Sequence, residues 1–507
     1  VGLAVMAIEP QFSTFETEFN AGKSQVVYTR LAADLDTPVS LLMKLAGDQP
    51  YSFVLESVTG GEVRGRYSII GFKPDLIWKC EGETSAINTQ ARIDQDSFAP
   101  CAGDPLTALR EIIARSKIDL PIDLPAASAG LFGYLGYDMI RLIEYLPDVN
   151  PDVLGLPDAV MIRPSVIAVL DGVKGEVILV APAWADSGLS AKAAYAQASE
   201  RVMDAVRDLE RVPATATRNL GEAAEIAPPV SNFTHQAYLE AVEKAKDYIR
   251  AGDIFQVVPA QRWTQDFKEP PFALYRSLRR TNPSPFMFYF NFDGFQVVGA
   301  SPEILVRVFG NEVTIRPIAG TRPRGKTPDE DRAYEVDLLA DKKELAEHLM
   351  LLDLGRNDTA KVTKVGTMRP TEKFIIERYS HVMHIVSNVV GELADDQDAL
   401  SAFFAGMPAG TVSGAPKVRA MEIIDELEPE KRGVYGGGCG YFSANGDMDM
   451  CIALRTAVLK DEKLYIQAGG GVVYDSDPEA EYQETVHKSN AIRAAAADAA
   501  RFSGGNS

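Results

Sequence analysis

Short runs of alternating apolar and polar positions mark the early part of the chain. YSFVLES (51–57), YSIIGF (67–72), VMIRPSVIAVL (160–170) and EVILVAP (176–182) are rich in β-branched and aromatic residues, and each predicts a strand. PLTALREIIARSK (105–117) and the long Ala-rich stretch 189–211 predict helices. Periodicity then fails, and Pro, Thr, Ala and Gly collect up to residue 232. This loss of pattern divides the chain into an N-terminal α+β region, 1–212, a linker, 213–232, and a second region, 233–501.

The second region opens on a helix. Tyr238, Ala241, Val242, Ala245, Tyr248 and Ile249 recur at helical spacing behind an N-cap at Thr234. Strands are predicted at 254–263, 286–292, 295–301 and 312–318. Helical segments follow through 329–356, and another opens at 414. CGYFSA, MCIALRTAVL and KLYIQAGGGVVYD return to strand, and an Ala-rich helix, 478–501, closes the pattern. Strands that follow one another through short turns pair antiparallel, so the expected class is α+β.

Composition narrows the function. The chain has 507 residues, 46% of them apolar and 24% charged, as expected of a globular protein with a real core. No apolar run approaches the length of a membrane span, so no membrane is expected as a partner. VGLAVMAIEP lacks the basic region and cleavage site of a secretory signal, and a cytoplasmic location is expected. Cys80, Cys101, Cys439 and Cys451 form no C-x-x-C pair and read as buried, reduced thiols. A net charge of −20 argues against nucleic acid as a partner. It leaves room for a small anion, because screening over roughly 8 Å makes local charge decide what a pocket binds.

Several stretches carry candidate chemistry. In IRPIAGTRPRG (315–325), Arg316, Arg322 and Arg324, with Lys326 beyond, crowd around Ala319, Gly320 and Thr321, a candidate anion site. In the helix 341–358, Glu344, Glu347, His348 and Leu351 share a face; in 477–491, Glu481, Glu484 and Lys488 do. Such carboxylates are ordinarily solvated; they hold Mg²⁺ only if the two helices meet, which spacing alone leaves open. GTVSGAPK (410–417) places Ser413 as an N-cap and Pro416 in a first turn, where free N–H groups would face an anion. The glycine clusters YGGGCGYF and QAGGGVVYD lie in strands, where glycine marks a bulge or a backbone that approaches a ligand. Arg455 between them can pair with a carboxylate. RYSHVMHIV sets His381 and His384 three apart, and histidine suits proton transfer near neutral pH. Together these features point to a metal-assisted enzyme acting on a small anion.

PIAGTRPRG, ELAEHLMLLDLGRND, YSHVMH, GTVSGAPK and QAGGGVVYDSDPEAEYQET, in this order, resemble the chorismate-utilising enzymes, and within them the anthranilate synthase component I branch. The likeness is strong over about 225–500 and looser before. It implies an antiparallel β-sheet sandwich flanked by helices, with chorismate in the cleft and Mg²⁺ as cofactor. Matched position by position, it implies Glu347 and Glu484 as metal ligands. Gly320, Thr321, Tyr435, Arg455, Gly469, Gly470, Gly471 and Lys488 would bind substrate. Glu303 would act as acid and His384 as base, with Thr411 beside the reacting centre. Aminodeoxychorismate synthases of this superfamily carry a lysine nucleophile where Ala319 stands, and isochorismate synthases a lysine base where Gln256 stands. Neither residue here can act so, which favours ammonia as nucleophile and anthranilate and pyruvate as products over aminodeoxychorismate, isochorismate or salicylate synthesis. A catalytically silent binder of the same fold is disfavoured by the retained Glu303, His384, Glu347 and Glu484. No glutaminase segment is evident, so a separate glutamine amidotransferase subunit, and hence a hetero-oligomer, is implied. SFVLES (Glu56, Ser57) and NPSPFMFYF (Pro285, Phe286, Met287) resemble the stretches that bind tryptophan as feedback inhibitor, part of that site lying in the N-terminal region.

Overall fold

Two long strands organise the molecule, a computed structural model describing residues 7–57, 65–211, 227–379 and 382–503. Tyr67–Glu81 and Ala159–Asp171 pair antiparallel along their length. Their register slips between Pro74 and Leu76, where Lys73 has φ +51° and Pro164 faces Pro74. Proline donates nothing to a ladder, and paired prolines beside a bulge suit a bend.

On one side of the bend the pair continues through Ser52–Glu56, Phe286–Asn291, Phe295–Ser301, Thr456–Lys460, Lys463–Gly469 and Ala260–Asp266. Glu176–Ala183 and Gln25–Ala32 flank the other edge of this layer. Beyond the bend the pair continues through Gly130–Leu135, Gly438–Ser443, Met448–Ile452, Ile304–Phe309, Glu312–Ile315 and Val382–Glu392. Ile318–Pro323 and Arg369–Arg378 both pair with Val382–Glu392. Every pairing is antiparallel, so the expected α+β sandwich is what forms. Strands from before residue 212 sit between strands from after 232: Ser52–Glu56 against Phe286–Asn291, Gly130–Leu135 against Gly438–Ser443.

The core follows the period of two. Phe53, Phe288 and Phe290 point between the layers and meet Phe132 and Tyr441, with the Phe53 and Phe132 rings stacked at 4.6 Å. Their neighbours Val54, Met287 and Tyr289 point outward beneath the helices Pro38–Leu45, Ala191–Leu209, Pro271–Thr281 and Pro478–Ala499. On the second layer, Val306, Met448 and Met450 pack under Pro105–Arg115 and Ala399–Gly406. Each large side chain so buried contributes about 1.5–3 kcal/mol.

Several elements depart from their sequence patterns. The strand expected at 254–263 breaks at Val258 and Pro259 into Gln256–Val257 and Ala260–Asp266. The helical run 329–356 is two helices, Pro328–Ala340 and Lys342–Ala360, with Asp341 between them capping the second. Ser413 is not an N-cap. Its hydroxyl donates to Ala409 O at 2.8 Å, Gly414–Ala415 pairs with Gln256–Val257, and the helix starts at Lys417. Cys80, Cys439 and Cys451 are buried and Cys101 is half-buried, all with free thiols. No described helix is long and apolar enough to cross a membrane. Residues 213–226 of the expected linker, and His381, lie outside the described residues.

Candidate active site

The site is built where strands break. Glu303 sits between Phe295–Ser301 and Ile304–Phe309, is 6% exposed, and has its carbonyl held by Ile452 N–H at 3.0 Å. The Thr411 hydroxyl lies 3.2 and 3.3 Å from its carboxyl oxygens, and Ile318 N–H also bonds to it. Burial pushes the carboxyl up to about 8, against those hydrogen bonds and the charges of Lys488 and Arg455. A carboxyl that keeps its proton at neutral pH is equipped as an acid.

His384 lies on Val382–Glu392, opposite a slip in register between Ala319 and Thr321. Gly320 occupies the slip at φ +71°, which glycine adopts without steric cost. The His384 Nδ1 lies 3.0 Å from Gly320 O and 3.1 Å from Thr321 Oγ1. A carbonyl only accepts, so Nδ1 carries the hydrogen and the Nε2 lone pair is left for chemistry. Burial lowers the imidazole to about 4, so it is neutral at pH 7. Arg455, at φ +47° in the break between Met448–Ile452 and Thr456–Lys460, acts on the charge of both His384 and Glu303.

The two carboxylate-bearing helices bring Glu347 and Glu484 within electrostatic reach of one another. The half-buried Glu347 is held up in pKa first by loss of water around it, then by Glu344 and Glu484, while Gln256 Nε2 donates to its Oε1 at 3.1 Å. Glu484 pairs with Lys488 at 2.7 Å, and Lys488 also donates to Gly469 O at 2.9 Å. Among the described residues, no three His, Cys, Asp or Glu side chains gather around one ion. Two carboxylates that repel each other, beside a buried Gln256 Oε1 with no described partner, nevertheless fit a hard cation whose other oxygens come from water or substrate.

The glycine clusters divide. A Cβ on Gly469 would lie 3.1 Å from Tyr435 Oη, on Gly470 3.0 Å from Glu481 Oε2, and on Gly471 2.7 Å from Gln256 Nε2, so this cluster borders the site. Gly437 and Gly438 serve packing: a Cβ would meet Leu135 O at 2.3 Å and the Phe403 ring at 2.4 Å. The arginine-rich loop is not a free anion cradle. Arg322 pairs with Asp337, Asp341 and Glu344, Arg324 with Asp331, and Arg316 with Glu372 and Glu377. Ala319 half-buries in the strand beside Gly320.

Glu56, Ser57, Pro285, Phe286 and Met287 converge on a separate cavity of about 270 Å³. Glu56 Oε1 already accepts from Tyr275 Oη and from Arg279 Nε at 2.6 Å. Arg307 and Asp449, which the sequence did not point to, line the same cavity together with Arg316 of the arginine-rich loop. Arg307 Nε, Arg316 Nε and Asp449 Oδ1 are buried there without a hydrogen-bond partner among the described residues. Being unpaired is a tertiary property, and nothing local in the sequence signals it.

The family model for the chorismate binding enzyme matches residues 52–494. Anthranilate synthase component 1 of Cereibacter sphaeroides is 74% identical, over 97% of this chain and 98% of that protein. That of Pseudomonas putida is 49% identical, over 91% and 92%. Among solved structures, anthranilate synthase component I from Streptococcus pneumoniae superposes with a TM-score of 0.75 at 36% identity, covering 91% of this chain and 98% of that one. The menaquinone-specific isochorismate synthase of Escherichia coli, at 18% identity over 96% of this chain and 100% of that one, shares the fold with a TM-score of 0.69. The chain therefore belongs to the chorismate binding enzyme family, in its anthranilate synthase component 1 branch.

Proposed function

We propose that the protein converts chorismate and ammonia to anthranilate and pyruvate in tryptophan biosynthesis, with ammonia delivered by a separate glutamine amidotransferase subunit. The observation that carries this reading is a buried carboxyl, Glu303, raised to about 8 by burial, and a buried imidazole, His384, lowered to about 4, both under the charge of the half-buried Arg455. In the first step the ammonia lone pair forms a bond to ring C2, both ring double bonds shift by one position, and the C4–O bond breaks. Glu303 gives its proton to the departing hydroxyl, which leaves as water, and the new C2 ammonium gives up one proton, which restores the carboxyl. In the second, His384 Nε2 takes the C2 hydrogen as a proton, the C3–O bond breaks as the ring becomes aromatic, and the departing enolpyruvate takes up a proton to become pyruvate. Arg455 and the Gly469–Gly471 backbone receive the side-chain carboxylate; Thr321, Tyr435 and Lys488 frame the ring. Glu347 and Glu484 would hold Mg²⁺, which when bound would supply positive charge to the ring carboxylate. Ala319 offers no nucleophile and Gln256 no base, in keeping with ammonia as the attacking group.

The large cavity suits tryptophan as inhibitor. Pro285, Phe286 and Met287 wall an indole. The Arg307 and Arg316 guanidiniums on the cavity wall match a carboxylate, and the Asp449 and Glu56 carboxylates match an ammonium. The test is anthranilate fluorescence from chorismate, Mg²⁺ and ammonium, with pyruvate measured alongside. Equimolar products that vanish with a chelator, and in Glu347→Gln and Glu484→Gln, are expected. Isochorismate or a 4-amino product would overturn the assignment.

A further inference from the structure

The large cavity and the catalytic pair share walls. Ile318 lines the cavity, and its backbone N–H bonds Glu303. Tyr379 lines it too, and its ring meets the His384 ring edge-on, centroids 5.5 Å apart at 62°. Glu377, a third lining residue, is the cross-strand partner of His384, and its charge acts on the imidazole. One carboxylate ties this wall together: Glu377 accepts from Arg316 Nη2 at 2.5 Å through one oxygen and from Tyr379 Oη at 2.8 Å through the other. Arg316 and Ile304 border both the cavity and a small void of about 30 Å³ that touches Glu303 and Thr411.

We propose that Arg316, Glu377 and Tyr379 are the link through which an aromatic amino acid in the cavity acts on His384, with Ile318 carrying the same displacement to Glu303. The inference rests on the reading of the cavity given above. A ligand carboxylate that pairs with the Arg316 guanidinium, which lines the cavity, competes with Glu377 for it. Glu377 must then rebalance its bond to Tyr379, and the Tyr379 ring is the surface against which His384 packs. The ligand thus has a different interaction energy with the two arrangements of the wall, which coupling between sites requires. The metal-ligand candidates Glu347 and Glu484 do not border this cavity.

Two variants separate coupling from binding. Tyr379→Phe removes the hydroxyl on Glu377 and keeps the ring on His384; Glu377→Gln keeps the shape and removes the charge. For each, L-tryptophan affinity is measured by calorimetry without chorismate, and half-inhibition of anthranilate formation is measured on the same preparation. Tryptophan Kd within about 2-fold of wild type, with the half-inhibitory concentration raised about 10-fold or more, is expected of a coupling residue. Ser57→Phe serves as control and should shift both quantities together. The proposal is overturned if both variants are inhibited as wild type, or if affinity and inhibition fall in step, as for a residue that only lines the cavity. A wild-type protein that binds no tryptophan overturns the cavity reading and the link with it; inhibition that persists in both variants overturns the link alone.

Discussion

Burial moves Glu303 and His384 in opposite directions, because water is withdrawn from an anion in one case and from a cation in the other. Each is thereby left in its neutral form at pH 7, the form that the proposed acid and base roles require. Thr411 opposes the shift on Glu303, since its hydroxyl bond favours the carboxylate. Activity that needs a protonated Glu303 is present below its pKa, about 8, and is lost as pH rises through it. Thr411→Val removes the opposing bond, raises that pKa further, and should move the alkaline limb of the kcat/KM profile to higher pH while lowering its plateau. A limb that moves to lower pH, or does not move, would mean that Glu303 is not the acid whose ionisation is being observed. At this scale the sequence was partly legible. Motif strings pointed to Glu303, His384 and Thr411, but the state of each proton depends on strands brought in from elsewhere.

The two glycine clusters look alike in sequence yet do different work in their strands. Gly437 lies where a Cβ would strike the Leu135 carbonyl, part of a backbone that cannot step aside. Gly471 lies where a Cβ would meet the end of the Gln256 side chain, which can swing. Gly437→Ala should therefore cost about 1–3 kcal/mol in urea unfolding, in line with overpacking of a tight contact. Gly471→Ala should leave stability within about 0.5 kcal/mol and lower kcat/KM by about 10-fold or more, by displacing Gln256 from Glu347. The reverse pattern would remove the second cluster from the site. A similar division explains the arginine loop. Its charge was plain in the sequence, whereas the helix Pro328–Ala340 that neutralises Arg322 and Arg324 with Asp331 and Asp337 becomes their neighbour only in the fold. The helix following GTVSGAPK was misplaced at its start for a related reason. Gly414 and Ala415 take partners on Gln256–Val257, a pairing across the chain that outweighs Ser413 as a local cap.

For the whole molecule, alternation along the strands predicted antiparallel layers, while the order in which strands neighbour one another was hidden. Period-two patterning says which residues face a core and is silent on which strand lies alongside. A charge of −20 likewise describes the whole surface, although the proposed substrate pocket holds Arg455 and Lys488. The bent strands Tyr67–Glu81 and Ala159–Asp171 run through both layers, and their neighbours Ser52–Glu56 and Gly130–Leu135 each find a second partner in the later half of the chain. Fragments 7–211 and 227–503, produced apart, should each bind hydrophobic dye and fail to unfold cooperatively; mixed during refolding, they should recover a single transition. A cooperative transition in either fragment alone would refute this. During synthesis the same arrangement has a temporal side. Strand edges made early stay open until distant segments leave the ribosome, so the nascent chain passes through a period of vulnerability to mispairing in which chaperones have the most to do.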